Sequence, residues 1–190
     1  MTKIYKPPNP AKRIIKFVQT GPRAIQLRIE EDLHRRSYGV SRRKHSEITP
    51  QLHVGGQHRK KGYQRLLKRG ITAIVNMREA EYSDVSKGIA GERHLHLPTI
   101  DHTPPSIDDL MRGVAFIAQE IEEHGGKVYI HCRAGCGRAP AMAAAYLIST
   151  GMSRKEALNF IKKSRPFISL NKNQRRVLDE FAAAWAEQRD

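Results

Sequence analysis

The sequence predicts an α/β domain with a central, mostly parallel sheet flanked by helices. Three features predict it. Two β-branched, nearly all-apolar runs, "ITAIVNM" from Ile71 and "KVYIHC" from Lys127, read as strands covered on both faces. Segments with helical periodicity alternate with these and with shorter strand-like runs. The chain then closes on a cluster of helical stretches, "RAPAMAAAYLIST", "SRKEALNFIKKSR" and "NKNQRRVLDEFAAAWAEQ".

The elements follow in order. "LHVGG" from Leu52 is a short strand ending in a turn, and "RKKGYQRLLKRG" is a helix stopped at Gly70. After the strand of "ITAIVNM", "RHLHLPTI" alternates like a second one and stops at Pro98. "SIDDLMRGVAFIAQEIEEHGG" opens on Ser106 as an N-cap followed by acidic residues. Its Ile107, Leu110, Val114, Ile117 and Ile121 fall three or four apart, so the spacing predicts one amphipathic helix.

Charge divides the chain. The 190 residues carry 34 Lys/Arg against 19 Asp/Glu, a net of +15, which calls for a polyanionic partner. Residues 1–45 hold +9 of it and read as a basic N-terminal extension; residues 46–190 read as the α/β domain. Pro7, Pro8 and Pro10 discourage regular structure at the start. "AKRIIKFV" and "RAIQLRIEEDLHRR" each offer a basic helical face. Such a face either covers part of the core or docks on an anionic membrane surface, with Ile14, Ile15, Phe17 and Val18 as the apolar contacts. Nucleic acid is the least expected partner. No apolar run approaches the roughly 20 residues of a membrane span, and the N-terminus lacks a signal-peptide pattern. Two cysteines are too few for a disulfide framework. The expectation is a cytoplasmic protein, peripheral to membranes if the extension docks.

The chemistry concentrates in "VYIHCRAGCGRAP", Val128 to Pro140. Here Cys132 follows a buried strand and a helix begins near Arg138, the place where open α/β sheets bind ligands. Gly135 and Gly137 permit a tight turn, so the amides from Arg133 through Ala134, Gly135, Cys136 and Gly137 to Arg138 converge in one concavity. Such a nest binds a tetrahedral oxyanion and stabilises a thiolate. The planar fork of Arg138 suits two phosphate oxygens. A nucleophile under a bound phosphate is arranged for phosphoryl transfer to sulfur.

His-Cys-x5-Arg, with the glycines inside it, resembles the signature of the cysteine-dependent protein-tyrosine-phosphatase superfamily. "ITPQLHVGG", "GITAIVNMREAE" and "RPFISLNKNQRRVLDEF" resemble its dual-specificity branch. Within the branch, "PTIDHTPPS", "GKVYIHCRAGCGR" and "YLI" are most similar to mitochondrial-type phosphatidylglycerophosphate phosphatases. The resemblance spans about residues 46–185. It implies a dual-specificity-type fold, Cys132 as nucleophile, and Arg138 and the loop amides as phosphate ligands. The eight histidines besides His131, including the pair His94 and His96, show no metal-ligand spacing with carboxylates or cysteines, so no metal is expected, nor any cofactor. It also implies a general acid about thirty residues upstream of the cysteine. Asp101, thirty-one residues before Cys132, takes that position, with Asp108 and Asp109 as competitors better read as first-turn helix acids. His131, by the same resemblance, hydrogen-bonds the loop and keeps the thiolate poised.

Ala139 departs from the pattern. Most of the family places Ser or Thr directly after the arginine, where the hydroxyl assists breakdown of the phosphocysteine. "GRAP" resembles the phosphatases of regenerating liver, which share the alanine, so a slow second step is implied. Cys136 is either a small loop filler or a resolving thiol for an oxidised Cys132. Arg133, at the pocket rim, is either a surface charge or a holder of a second acidic group. The expected substrates are phosphomonoesters: an acidic lipid or inositol phosphate, or phosphotyrosine and phosphoserine/threonine proteins. The competing expectation is a phosphate-binding interaction module with little or no turnover.

Overall fold

The structure is a computed structural model that describes residues 21–91 and 93–188. Helix α1 spans Pro22–Tyr38 and is followed by strand β1, Leu52–Gly56. Helix α2 is Lys60–Lys68, and strands β2 and β3 are Ala73–Asn76 and Arg93–His96. Helix α3, Ile107–Ala118, leads to strand β4, Val128–Cys132. Helices α4 (Arg138–Ser149), α5 (Arg154–Ser164) and α6 (Lys172–Glu187) complete the chain. The four strands are all parallel, in the order β1-β4-β2-β3. The segment "AKRIIKFV", with Ile14, Ile15, Phe17 and Val18, lies outside the described residues.

Side chains alternate across the sheet, and the alternation sorts the core into two layers. Ala73 and Val75 of β2, with Val128, Ile130 and Cys132 of β4, face the larger layer with residues of α3 to α6. Ile74 and Tyr129 face the other way, toward Val40, Leu66 and Ile71 under α2. Helix α4 is buried along nearly its whole length, from Arg138 to Ile148. Its alanines carry no bulk that would hold it off the sheet. Ser106 caps α3 by accepting from Asp109 N, worth about 1 kcal/mol.

The long helix expected from Ser106 to His124 is broken. Regular α-helix stops at Ala118, and Gln119–Glu123 forms a wider π-type turn closed by His124 N donating to Gln119 O at 3.2 Å. Glu120 turns inward within it. Its buried carboxylate lies 3.1 Å from Arg93 Nε and 3.3 Å from His124 Nδ1, and widening the turn brings it to those partners.

Helix α1 lies against the rest of the molecule. Gly39, at φ +75°, closes it, and its N–H donates to Arg35 O. Beyond it, Val40 enters the smaller core layer and Ser41 Oγ accepts from Gly56 N at the end of β1. Glu31 of α1 is buried.

Candidate active site

Cys132 is the last residue of the central strand β4, and Arg138 the first of α4, so five residues make the turn between sheet and helix. Gly135 is essential to it on two counts. Its φ is +68°, and a Cβ there would stand 2.4 Å from the carbonyl of Gly55. Gly137 has φ −129°, and its need is steric: a Cβ would meet Gln174 Oε1 at 3.1 Å.

The direction of the loop amides follows from where its carbonyls go. Arg133 O accepts from Gln57 N at 3.1 Å, and Cys136 O from Ser169 N at 2.7 Å. Ala134 O and Gly135 O accept from Arg165 Nη2 (3.0 Å) and Nε (2.6 Å). Gly137 O accepts from Ala141 N in α4. Every carbonyl from Arg133 to Gly137 is therefore held by a group outside the turn. In a trans peptide the N–H of the next residue points opposite to the C=O. The amides of Ala134, Gly135, Cys136, Gly137 and Arg138 accordingly turn inward, and Gly135 N donates to Cys132 Sγ at 3.3 Å. Cys132 is 3% exposed, at the floor of this cup.

Arg138 closes the turn at the start of α4. It is 1% exposed, and its Nη1 donates to Thr99 O at 2.7 Å and lies 3.2 Å from Glu79 Oε1. Its Nη2 lies 2.9 Å from Asp101 Oδ1, so the structure brings the expected acid onto the expected arginine. The Asp101 side chain is about one-third exposed, and its Oδ1 also accepts from His102 N. His102 has φ +65°, a strained value for a residue with a Cβ. Helix α6 holds the loop there: Asn171 Nδ2 donates to His102 O at 2.7 Å and Gln174 Nε2 to Thr103 O at 3.0 Å. Asp108 and Asp109 lie instead in the first turn of α3.

His131 corrects one expectation. Strand alternation turns its ring to the face opposite Cys132, and its Nε2 bonds Asp84 Oδ2 at 2.5 Å rather than the loop. Burial pushes the Asp84 carboxyl up, but the hydrogen bond and charge of His131 outweigh it and hold it at about 2. Gln57 Nε2 donates to the other carboxylate oxygen at 2.9 Å. The His58 ring stands perpendicular to His131 with centroids 4.9 Å apart, and its Nε2 bonds Ile89 O at 2.8 Å. His58, Asp84 and His131 are all buried and each offers a ligand-type atom within 4.8 Å of the others, a convergence that ligand spacing in the sequence did not reveal. The hydrogen bonds to Asp84 and Ile89 already engage one nitrogen of each ring.

Burial, reinforced by the neighbouring His131, pushes His58 down to about 4. An unfolded chain takes up that proton near pH 6.5, so it binds protons first as pH falls. Stability contributed by neutral His58 is therefore complete above pH 6.5 and lost progressively toward pH 4, about 3 kcal/mol in all. Denaturant unfolding at pH 7 and pH 4.5 should show this loss, with a clearly smaller pH difference in His58→Gln. An equal difference in both proteins removes His58 as the cause.

The remaining sites fall as follows. Arg133 is exposed at the rim, and Ala139 is fully buried in the main core layer. Both cysteines are free thiols. Cys136 is buried, its Sγ bonds Ala134 O at 3.5 Å, and burial pushes its thiol up. Sequence reasoning missed Glu79, Asp84 and Arg165. The signal for the first two was present: "REAEYSD" directly follows a parallel strand, so its acids lie at the ligand-binding edge of the sheet.

A cysteine at the end of a central parallel strand, beneath a cup of loop amides and followed by a buried arginine at the start of the next helix, is the arrangement of cysteine-dependent phosphatases. The family pattern for "Dual specificity phosphatase, catalytic domain" matches residues 52–184, and the chain belongs to that family. The mouse phosphatidylglycerophosphatase and protein-tyrosine phosphatase 1 is 43% identical over 94 residues, 48% of this chain and 48% of its own. Phosphatidylglycerophosphate phosphatase PTPMT2 of Arabidopsis thaliana is 30% identical over 141 residues, covering 72% of this chain and 61% of its own. The chain thus spans about half the length of the mouse relative. Among solved structures, that of PTPMT1 in complex with PI(5)P superposes with a TM-score of 0.69 at 30% identity, covering 75% of this chain and 97% of the other.

Proposed function

We propose that this chain is a phosphomonoester phosphatase in which Cys132 is the nucleophile, Arg138 and the amides from Arg133 to Arg138 hold the phosphate, and Asp101 is the general acid. The observation that carries the reading is the outward anchoring of every loop carbonyl, which leaves the amides around Cys132 Sγ. In the first step the thiolate attacks phosphorus. The S–P bond forms, the P–O bond breaks, and the Asp101 carboxyl gives its proton to the departing oxygen. In the second, water attacks phosphorus, its proton passes to the Asp101 carboxylate, and the S–P bond breaks to return the thiolate and inorganic phosphate. Arg138, resting between Asp101 and Glu79, turns its fork onto the phosphate when the dianion enters.

The favoured substrate is an acidic lipid or inositol phosphate. Ile100 is more than half exposed, next to Asp101, and Arg133 is exposed beside Cys132. An apolar and basic rim suits a phosphorylated headgroup at a lipid surface. On α1, Ile29 and Leu33 are exposed one turn apart, flanked by exposed Arg28 and Arg36, which fits peripheral docking on anionic membrane. Among the described residues no helix is long and apolar enough to cross a membrane. Phosphotyrosine and phosphoserine/threonine proteins are the second reading, favoured by the protein-tyrosine phosphatase name of the mouse relative.

Phosphate release from a phosphatidylglycerophosphate-type lipid in anionic vesicles, a soluble inositol phosphate and phosphopeptides separates these readings. The lipid should be turned over fastest, with added salt reducing its rate more than that of the soluble ester. Faster turnover of phosphopeptides defeats the lipid assignment.

Ala139 sets the slow step. A serine hydroxyl at this buried position would donate to the leaving sulfur, and a hydrogen bond to a charged group is worth about 1.5–3 kcal/mol. Ala139→Ser should therefore raise steady-state turnover roughly tenfold or more and diminish any initial burst. Unchanged turnover shows that hydrolysis of the intermediate is not limiting.

A further inference from the structure

The carbonyls of the cup are pinned from behind by a buried charge whose counter-charge lies outside the matched residues 52–184. Arg165 is fully buried, and its guanidinium grips two consecutive carbonyls of the loop, Ala134 O through Nη2 and Gly135 O through Nε. Its Nη1 donates to His45 O at 2.8 Å, and its plane stacks over Phe167 at 4.6 Å. A guanidinium removed from water needs a counter-charge. Glu31 of α1 supplies it: the side chain is 2% exposed, with Oε1 3.8 Å from Arg165 Nη1. The same carboxylate accepts from Arg42 N at 3.2 Å, which fixes it to the turn that closes α1, and Oε2 lies 3.4 Å from His45 Nδ1. Burial pushes His45 below its ordinary value, whereas a guanidinium is always charged, which makes Arg165 the fixed cation beside Glu31.

We propose that Glu31 is a positioning residue for phosphate binding: through Arg165 it fixes the Ala134 and Gly135 carbonyls and so aims the Gly135 and Cys136 amides at Cys132 Sγ and at the bound phosphoryl group. The proposal rests on the phosphate-holding role of that loop. It makes α1, which lies outside the matched residues 52–184, a working part of the catalytic unit. A loop whose carbonyls are unpinned samples orientations in which those amides no longer converge, and loses affinity for oxyanions before it loses its fold.

Glu31→Gln keeps the shape and removes the charge; Arg165→Lys keeps the charge and removes the two-pronged grip. Both full-length variants are compared with the parent in inhibition by inorganic vanadate, in kcat/KM on an aryl phosphate and in thermal unfolding. Ser37→Ala, an exposed position on the same helix, is the control. The expected result is an about tenfold weaker vanadate affinity and an about tenfold lower kcat/KM in both variants, measured well below their unfolding temperatures, with Ser37→Ala unchanged. A lowered unfolding temperature with parental vanadate affinity and kcat/KM assigns Glu31 to stability alone and overturns the proposal. A parent that neither binds vanadate nor turns over the ester defeats the phosphatase reading itself.

Discussion

A Cys132→Ser variant should fold as the parent does and release phosphate from an aryl phosphate at least about a thousandfold more slowly. The stability half follows from size: serine fits the space of a buried thiol at the end of β4, and Gly135 N can donate to its hydroxyl as it does to Sγ. The rate half follows from nucleophilicity. Sulfur is intrinsically a far better nucleophile toward phosphorus than the oxygen of an alcohol, so the same cup around a serine hydroxyl cannot restore the rate. A stopped-time phosphate assay on matched protein checks this. Retention of even a tenth of the parental rate would place the nucleophile elsewhere.

The second large effect belongs to Asp101. Asp101→Asn removes the proton donor while leaving a side chain of the same size beside Arg138. The loss should depend on the leaving group. For an alkyl ester, whose alkoxide cannot depart unprotonated, kcat/KM, which reports the first step alone, should fall by roughly 100- to 10,000-fold. For an activated aryl ester such as a nitrophenyl phosphate the fall should be far smaller, because the phenolate leaves without help. Measuring both esters on one preparation cancels differences in active fraction. Equal losses on the two esters would identify Asp101 as a partner that orients Arg138 rather than as the acid.

Cys132, Gly135 and Arg138 lie within seven positions of one another, so the turn that unites them is local and its chemistry could be read directly. Asp101 was found by a spacing that the family resemblance supplied, and its 2.9 Å approach to Arg138 depends on α6 holding the loop through Asn171 and Gln174. The strands and the helix from Arg138 to Ser149 were legible because apolar period and burial agree along them.

Other parts were not legible, for physical reasons. Arg165 and Glu31 are charged residues in segments that look like solvated surface, and only tertiary packing assembles them behind the loop; Glu79 and Asp84 stand at a legible strand edge, but their pairing with Arg138 and His131 is set by packing. The break at Ala118 has the same origin: nothing in the periodicity of α3 announces that Glu120 will turn inward to Arg93. His131 was placed on the wrong partner even though the signal was available. Neighbours in a strand point to opposite faces, so a ring preceding Cys132 belongs to the layer of His58 and Asp84.

The proposed reaction passes through a covalent bond between sulfur and phosphorus. With alanine at position 139 that intermediate should build up, so rapid acid quench of the parent protein with an aryl phosphate, followed by intact mass and peptide mapping, tests it most directly. The expected result is one phosphoryl group, located on Cys132 and absent from Cys132→Ser. Turnover with no phosphorylated protein at any quench time, or a phosphoryl group on another residue, would contradict it.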